Sequence, residues 1–243
     1  MRTLLFLLLW SPVAVASDQL TLSSSNQQVA VLELYTSEGC SSCPPADQWL
    51  SKLIELTPQD LQVLALAFHV DYWDYIGWKD PYANAQFTGR QRRLATENRQ
   101  STIYTPEFFI NGQETRGTHH LIHKIQKINQ ARSPVRLLLD IDRDSSALQL
   151  QLKAVSRAQQ NLKVQYVVFE DNLLNEVTRG ENAGRQLQHE HVVRYLSDDI
   201  NFFQTDTHRI PLQANWNSAQ LGIAAIVYRD NGDYLQAVHG RLP

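Results

Sequence analysis

A mainly apolar, β-branched run from Val29 to Thr36, interrupted at Glu33, ends in Ser37-Glu38-Gly39, the pattern of a buried strand entering a tight turn. Ala46, Trp49, Leu50, Leu53 and Leu56 then recur at helical spacing. Pro44 and Pro45 fall in the first turn of that helix, where a missing N–H costs little, and Pro58 supplies a stop. Leu61 to Val70 is a second apolar run, expected to return parallel to the first through a right-handed crossover. A further helix is expected from Pro81 to about Gln100, weakened in the middle by Gly89. Phe108-Phe109-Ile110, the turn pair Asn111-Gly112 and Glu114-Thr115-Arg116 read as a β-hairpin. Leu121, Ile122, Ile125 and Ile128 place an apolar stripe on a closing helix. The order over residues 29–132 is β-α-β-α-β-β-α.

At Arg132-Ser133-Pro134 the pattern changes to strict alternation, which marks a boundary. Val135, Leu137, Leu139 and Ile141 alternate with polar positions, as do Leu148, Leu150, Leu152 and Ala154, and then Leu162, Val164, Tyr166 and Val168. Each set predicts a half-buried strand. Leu221 to Arg229 and Tyr234 to His239 flank Asp230-Asn231-Gly232-Asp233, a strong hairpin signal. The expected fold is an α/β domain followed by an all-β, sandwich-like domain over residues 133–243.

Ahead of both, Met1-Arg2-Thr3, the apolar stretch Leu4 to Trp10 and Ala14-Val15-Ala16 have the form of a signal peptide cleaved after residue 16. The apolar stretch is short for a bilayer span, which takes roughly 20 residues. The expectation is therefore a periplasmic or secreted protein with no stable membrane insertion. The formal net charge of −3 gives no basic stripe for nucleic acid.

The chain has two cysteines, Cys40 and Cys43, in a C-x-x-C placed where the first strand meets the first helix. Unpaired N–H groups and the macrodipole at a helix start favour an anion, which lowers the pKa of a thiol held there. Cys43, one turn inside, would act as the resolving thiol. Two sulfurs fall short of the four ligands of a structural zinc, so redox chemistry is the simpler reading. Thr105-Pro106 stands immediately before the expected strand Glu107 to Ile110. Were that bond cis, it would turn the Thr105 backbone toward the dithiol, although most X-Pro bonds are trans.

The element order, Cys40-Ser41-Ser42-Cys43 after the first strand and Thr105-Pro106 before the hairpin together resemble the thioredoxin superfamily. That resemblance implies Cys40 as the attacking thiol, Cys43 as the resolving thiol and Pro106 as a cis-proline. It also implies Glu33 as a buried acid that relays protons. The chain departs from the superfamily in having Gly39 before the motif and Ser41-Ser42 within it. A closer resemblance runs through Leu32 to Asp47, Phe68 to Pro81, Tyr104-Thr105-Pro106, Gly180 to Arg185, His189 and Val192-Val193-Arg194. These stretches are similar to the secreted bacterial proteins grouped as domain of unknown function twelve-twenty-three, which implies a thioredoxin-like fold and export.

His69, Asp71, Trp73, Asp74 and Trp78 follow the second strand and would lie at the sheet edge that displays the dithiol. They read as a substrate wall, as an aromatic mini-core, or as the source of His69 for a metal held with the two sulfurs. Arg90, Arg92 and Arg93 read as a solvated helix face. His189 and His191 alternate in an expected strand and would share one face, as two metal ligands would, but with no third ligand nearby they read as structural histidines. Arg185 is a candidate brace between its loop and the first domain. The leading expectation is an exported thiol–disulfide oxidoreductase acting on a protein thiol or disulfide, with no cofactor. The alternatives are a copper or zinc binding or delivery protein and a non-catalytic binding module.

Overall fold

The computed structural model describes residues 18–56, 61–156, 162–202 and 207–243. The expected signal peptide, residues 1–16, and the helix stop Pro58 lie outside them. In chain order the first half holds β1 (Asp18–Ser23), β2 (Ala30–Thr36), α1 (Pro44–Leu56), β3 (Val63–His69), a 3-10 turn (Asp71–Ile76), α2 (Ala85–Glu97), β4 (Glu107–Ile110), β5 (Gln113–Thr115) and α3 (Leu121–Asn129). The second half holds β6 (Val135–Arg143), β7 (Ala147–Ser156), β8 (Leu162–Glu170), β9 (Leu173–Val177), β10 (Arg185–His189), β11 (Val192–Leu196), β12 (Ile200–Asn201), β13 (His208–Pro211), β14 (Leu221–Arg229) and β15 (Tyr234–Arg241). Among the described residues no helix is long and apolar enough to cross a membrane.

β2 is buried along its whole length because both of its faces are covered. Side chains alternate across a strand, so Ala30, Leu32 and Leu34 meet α1 and α3, whereas Val31 and Tyr35 meet α2 through Phe87 and Leu94. β2 pairs parallel with β3 and antiparallel with β4, and β4 pairs antiparallel with β5. The crossover expected between the two apolar runs is therefore present, with α1 between them.

The strands expected as a separate sandwich instead continue this sheet. Its order is β15-β14-β8-β11-β3-β2-β4-β5, with β12 also on β8. The two halves meet where β11 lies parallel to β3, at Val192 opposite Ala67, and the Ala67 N–H donates to the His191 carbonyl at 2.9 Å. One core crosses this seam: Val31, Tyr35, Phe68 and Phe109 pack with Val167, Phe169, Val193 and Ile226. The sandwich character survives on the other face, where a second sheet, β1-β6-β7-β13, packs its alternating leucines on Leu162, Val164, Tyr166 and Val168 of β8. β8 was expected to be half-buried and is instead covered on both faces. β1, from ahead of the first half, completes the second sheet, so the boundary at 132/133 does not divide the sheets.

Candidate functional site at the start of α1

β2 ends at Thr36, and Ser37 to Cys43 turn the chain into α1. The Cys40 N–H donates to the Ser37 carbonyl at 3.1 Å, and the Cys43 N–H to the Cys40 carbonyl at 3.2 Å. Cys40 and Cys43 are joined by a disulfide across a Cα separation of 5.4 Å. Both are buried, at 1% and 0% exposure, so Cys40 lies as deep as its partner. The exposed Ser42 hydroxyl lies 3.3 Å from the Cys40 sulfur.

Trp73 brings the dithiol turn to the proline. Its Cβ is 3.0 Å from where a Cβ on Gly39 would sit, a tight approach that a side chain there would press apart, and its Nε1 donates to the Thr105 hydroxyl at 2.7 Å. The Thr105–Pro106 bond is cis. Cys40, Thr105, Pro106 and Trp73 thus occupy one end of the sheet. Trp78 joins them by donating its Nε1 to the Glu38 carboxylate at 2.8 Å, and Asp74 accepts from the Asp80 N–H at 3.2 Å.

The other two members of the expected wall face elsewhere. Asp71 accepts a 2.5 Å hydrogen bond from the Thr88 hydroxyl and so fastens α2. His69 is fully buried on the α1 side of the sheet, its Nδ1 2.7 Å from Asp80. Burial lowers the His69 pKa, and the Asp80 carboxylate more than reverses this, leaving it raised. Burial likewise raises Asp80, and His69 with two backbone N–H donors brings it below its ordinary value. Both shifts favour the charged form of each partner.

Beneath the dithiol the structure assembles a polar cluster that sequence reasoning missed: Glu38, Asp47, His69, Asp80 and His189, all buried. Glu38 accepts from Trp78, from Asn175 Nδ2 at 2.8 Å and from His189 Nε2 at 3.2 Å. The His69 and His189 rings meet edge to face with centroids 4.8 Å apart, and His189 Nδ1 lies 3.9 Å from Asp47. Burial raises the Asp47 carboxyl above its ordinary value, opposed by the two imidazoles. Of its members His69 and His189 were singled out from the sequence, but their partners were not; Asp47, a carboxylate one helical turn beyond Cys43, was an unused signal. Among the described residues no three His, Cys, Asp or Glu side chains are grouped to hold a metal ion.

Glu33 is not part of this cluster. It shares the face of Val31 and Tyr35, away from α1, and Arg90 holds it through Nε at 2.7 Å and Nη2 at 2.8 Å. Burial raises its carboxyl, and Arg90 more than compensates, so it stays a carboxylate and has no proton to relay to the dithiol. Arg90, expected on a solvated face, is 4% exposed; Arg92 and Arg93 are exposed as expected.

His189 and His191 also part company. His189 ends β10 and enters the polar cluster, whereas His191 sits in the turn before β11 with a φ of 50° and its Nδ1 2.7 Å from the Ala65 carbonyl. Burial lowers the His191 pKa from 6.5 to about 4. The unfolded chain therefore takes up a proton that native His191 refuses, so its contribution to stability is full above pH 6.5 and lost as pH falls toward 4, by about 3 kcal/mol. Urea unfolding of wild type and His191→Asn across this window should show the acid limb flattened in the variant.

Over the dithiol turn lies the loop joining β9 to β10. Asn182, fully buried, donates from Nδ2 to the Glu38 carbonyl at 2.8 Å and the Cys40 carbonyl at 3.0 Å. Glu181 accepts from the Ser41 N–H at 3.1 Å. The side chains of this loop that hydrogen-bond the dithiol turn are thus those of Glu181 and Asn182, while the side chain of Arg185, the expected brace, is exposed.

Fold and site together define a mixed α/β protein whose disulfide stands at a strand-to-helix turn, beneath a loop from the second half. The chain belongs to the family described as Protein of unknown function (DUF1223), whose model matches residues 31–228. No curated protein matches it significantly. Two solved structures share its fold. Protein AGR_C_4864 from Agrobacterium tumefaciens is 22% identical, with a TM-score of 0.63 over 88% of this chain and 95% of that one. HBP35 of Porphyromonas gingivalis is 17% identical, with a TM-score of 0.64 over 90% of this chain and 76% of that one.

Proposed function

We propose that the protein is an exported thiol–disulfide oxidoreductase on a thioredoxin-like fold, with Cys40 as the exchanging sulfur and Cys43 as the resolving one. The observation that carries this reading is the Cys40–Cys43 disulfide in the turn that leads from β2 into α1. An anionic sulfur there is favoured by the helix macrodipole, and the Ser42 hydroxyl at 3.3 Å is a further donor to it. The parallel β2-α1-β3 crossover and the antiparallel β4–β5 hairpin led by Thr105-Pro106 support the thioredoxin-like assignment. The disulfide and the signal-like N-terminus support a periplasmic or secreted location, since such bonds persist in oxidising compartments.

The exchange balances as follows. A thiolate of a partner protein attacks the Cys40 sulfur, the Cys40–Cys43 bond breaks, and its electron pair leaves on the Cys43 sulfur, which takes a proton. The partner's second thiolate then attacks its own sulfur in the mixed disulfide and releases Cys40. The partner is oxidised by two electrons and the chain is reduced by two; the relative potentials set the direction.

In the reverse direction the Cys40 thiolate attacks a partner disulfide, and the partner's other sulfur leaves with the electron pair and takes a proton. The Cys43 thiolate then attacks Cys40 and releases the reduced partner. With Cys43→Ala this second step is blocked, and Cys40 should accumulate in mixed disulfides that a reductant releases and mass spectrometry identifies. Cys40→Ser should trap nothing. Equal trapping by the two variants, or none by either in its native compartment, would overturn the reading.

A further inference from the structure

The dithiol is covered more deeply than exchange permits. A thiolate must reach the Cys40 sulfur to attack it, yet Cys40 is 1% exposed. The tip of the β9–β10 hairpin bonds the main chain of the dithiol turn, at the Glu38 and Cys40 carbonyls and the Ser41 N–H, and its construction separates a fixed base from a detachable end. β9 and β10 pair only with each other among the described strands, and Asn175 and His189 fix them to Glu38. The tip is bounded by two glycines in the left-handed region, Gly180 with a φ of 71° and Gly184 with a φ of 80°. Gly180 also lies so close to Trp78 that a Cβ there would be 3.2 Å from the tryptophan Cβ.

Between those glycines Asn182 is the buried residue, and its neighbours Glu181, Ala183 and Gly184 are exposed. Its amide nitrogen holds two carbonyls of the dithiol turn, while its Oδ1 is buried without a partner, which weakens the closed arrangement. Glu181 occupies the Ser41 N–H, a donor that would otherwise favour an anion near the helix start, and it brings a negative charge to the residue next to Cys40.

We infer that residues 180–184 are a strap that must lift before Cys40 exchanges, with Asn182 as its latch and Glu181 as a second contact that holds the closed dithiol unreactive. The strap rests on the oxidoreductase reading for its use, but not for its test. In the test, dithiothreitol reduces the wild-type disulfide: one of its thiolates attacks Cys40, Cys43 leaves with the electron pair and a proton, and the second thiolate closes the reagent's own ring and frees Cys40. Reduction is followed by quenching with an alkylating agent and weighing the protein.

Asn182→Ala removes two hydrogen bonds of the closed state and should speed reduction about tenfold. Glu181→Ala, at an exposed position that the fold tolerates, should speed it about threefold and carries the test if the first variant does not fold. Unchanged or slower reduction in folded Asn182→Ala, or in Glu181→Ala where only that variant folds, would overturn the strap. Faster reduction with no partner trapped by Cys43→Ala would keep the strap and remove the oxidoreductase reading; the converse pair of results would do the reverse.

Discussion

Arg90→Met should lower the unfolding free energy by about 3–5 kcal/mol, the cost of leaving a buried charge without its partner. Glu33 and Arg90 are 1% and 4% exposed at their side chains. Each carboxylate oxygen also accepts from a tyrosine, Oε2 from Tyr35 and Oε1 from Tyr234, both at 2.8 Å. The remaining guanidinium nitrogen donates to Gln165 at 2.8 Å, and the guanidinium carbon stands 5.6 Å from the centroid of the Phe68 ring. This network joins β2, α2, β8 and β15, and so crosses the seam between the two halves. Methionine fills much of the volume but supplies no charge, and the tyrosine hydroxyls cannot neutralise Glu33. The double variant Glu33→Gln with Arg90→Met should recover a large part of the loss, because the buried carboxylate is then gone. Equilibrium unfolding in urea for the two single variants and the double variant measures this coupling; additive losses would show that the pair is not the source of the effect.

The same residues show what a sequence can and cannot disclose here. The element order of the first half was legible because each strand and helix carries its own period, and the C-x-x-C announced its turn. Glu33 was visible as an acid inside a strand, and its parity with Val31 and Tyr35 puts it on the face away from α1, but nothing in one sequence says which face a distant arginine will cover. Arg90, flanked by two exposed arginines, has no local mark of burial. The continuation of the sheet was hidden for a related reason. The alternation of Leu162, Val164, Tyr166 and Val168 displays one buried face, and the second face, carried by Val167 and Phe169, is needed only because β8 reaches the first half's core. The polar cluster below the dithiol gathers Glu38, Asp47, His69, Asp80 and His189 from β10 and four places in the first half, so its assembly follows from the β11–β3 contact and not from any local pattern.

Gly222→Ala should be the second most damaging change, at about 3 kcal/mol, the upper end of what overpacking usually costs. Gly222 lies opposite Phe169 in the β14–β8 ladder, and an added Cβ would stand 2.2 Å from the phenyl Cζ and 2.3 Å from Cε2. Those distances lie far inside contact, so either the ring or the strand must move. The ring has no room: Phe169 is 1% exposed, packs in the core shared by the two halves, and meets the His191 ring at a centroid distance of 4.4 Å. Displacing it disturbs the turn that carries His191 and, two residues earlier, His189 of the dithiol cluster. The effect should therefore appear both as a lower urea midpoint and as faster reduction of the Cys40–Cys43 disulfide. Phe169→Leu removes the clashing ring atoms, so Gly222→Ala added to Phe169→Leu should cost much less than it does in wild type. An equal cost in the two backgrounds would place the origin of the loss outside this contact.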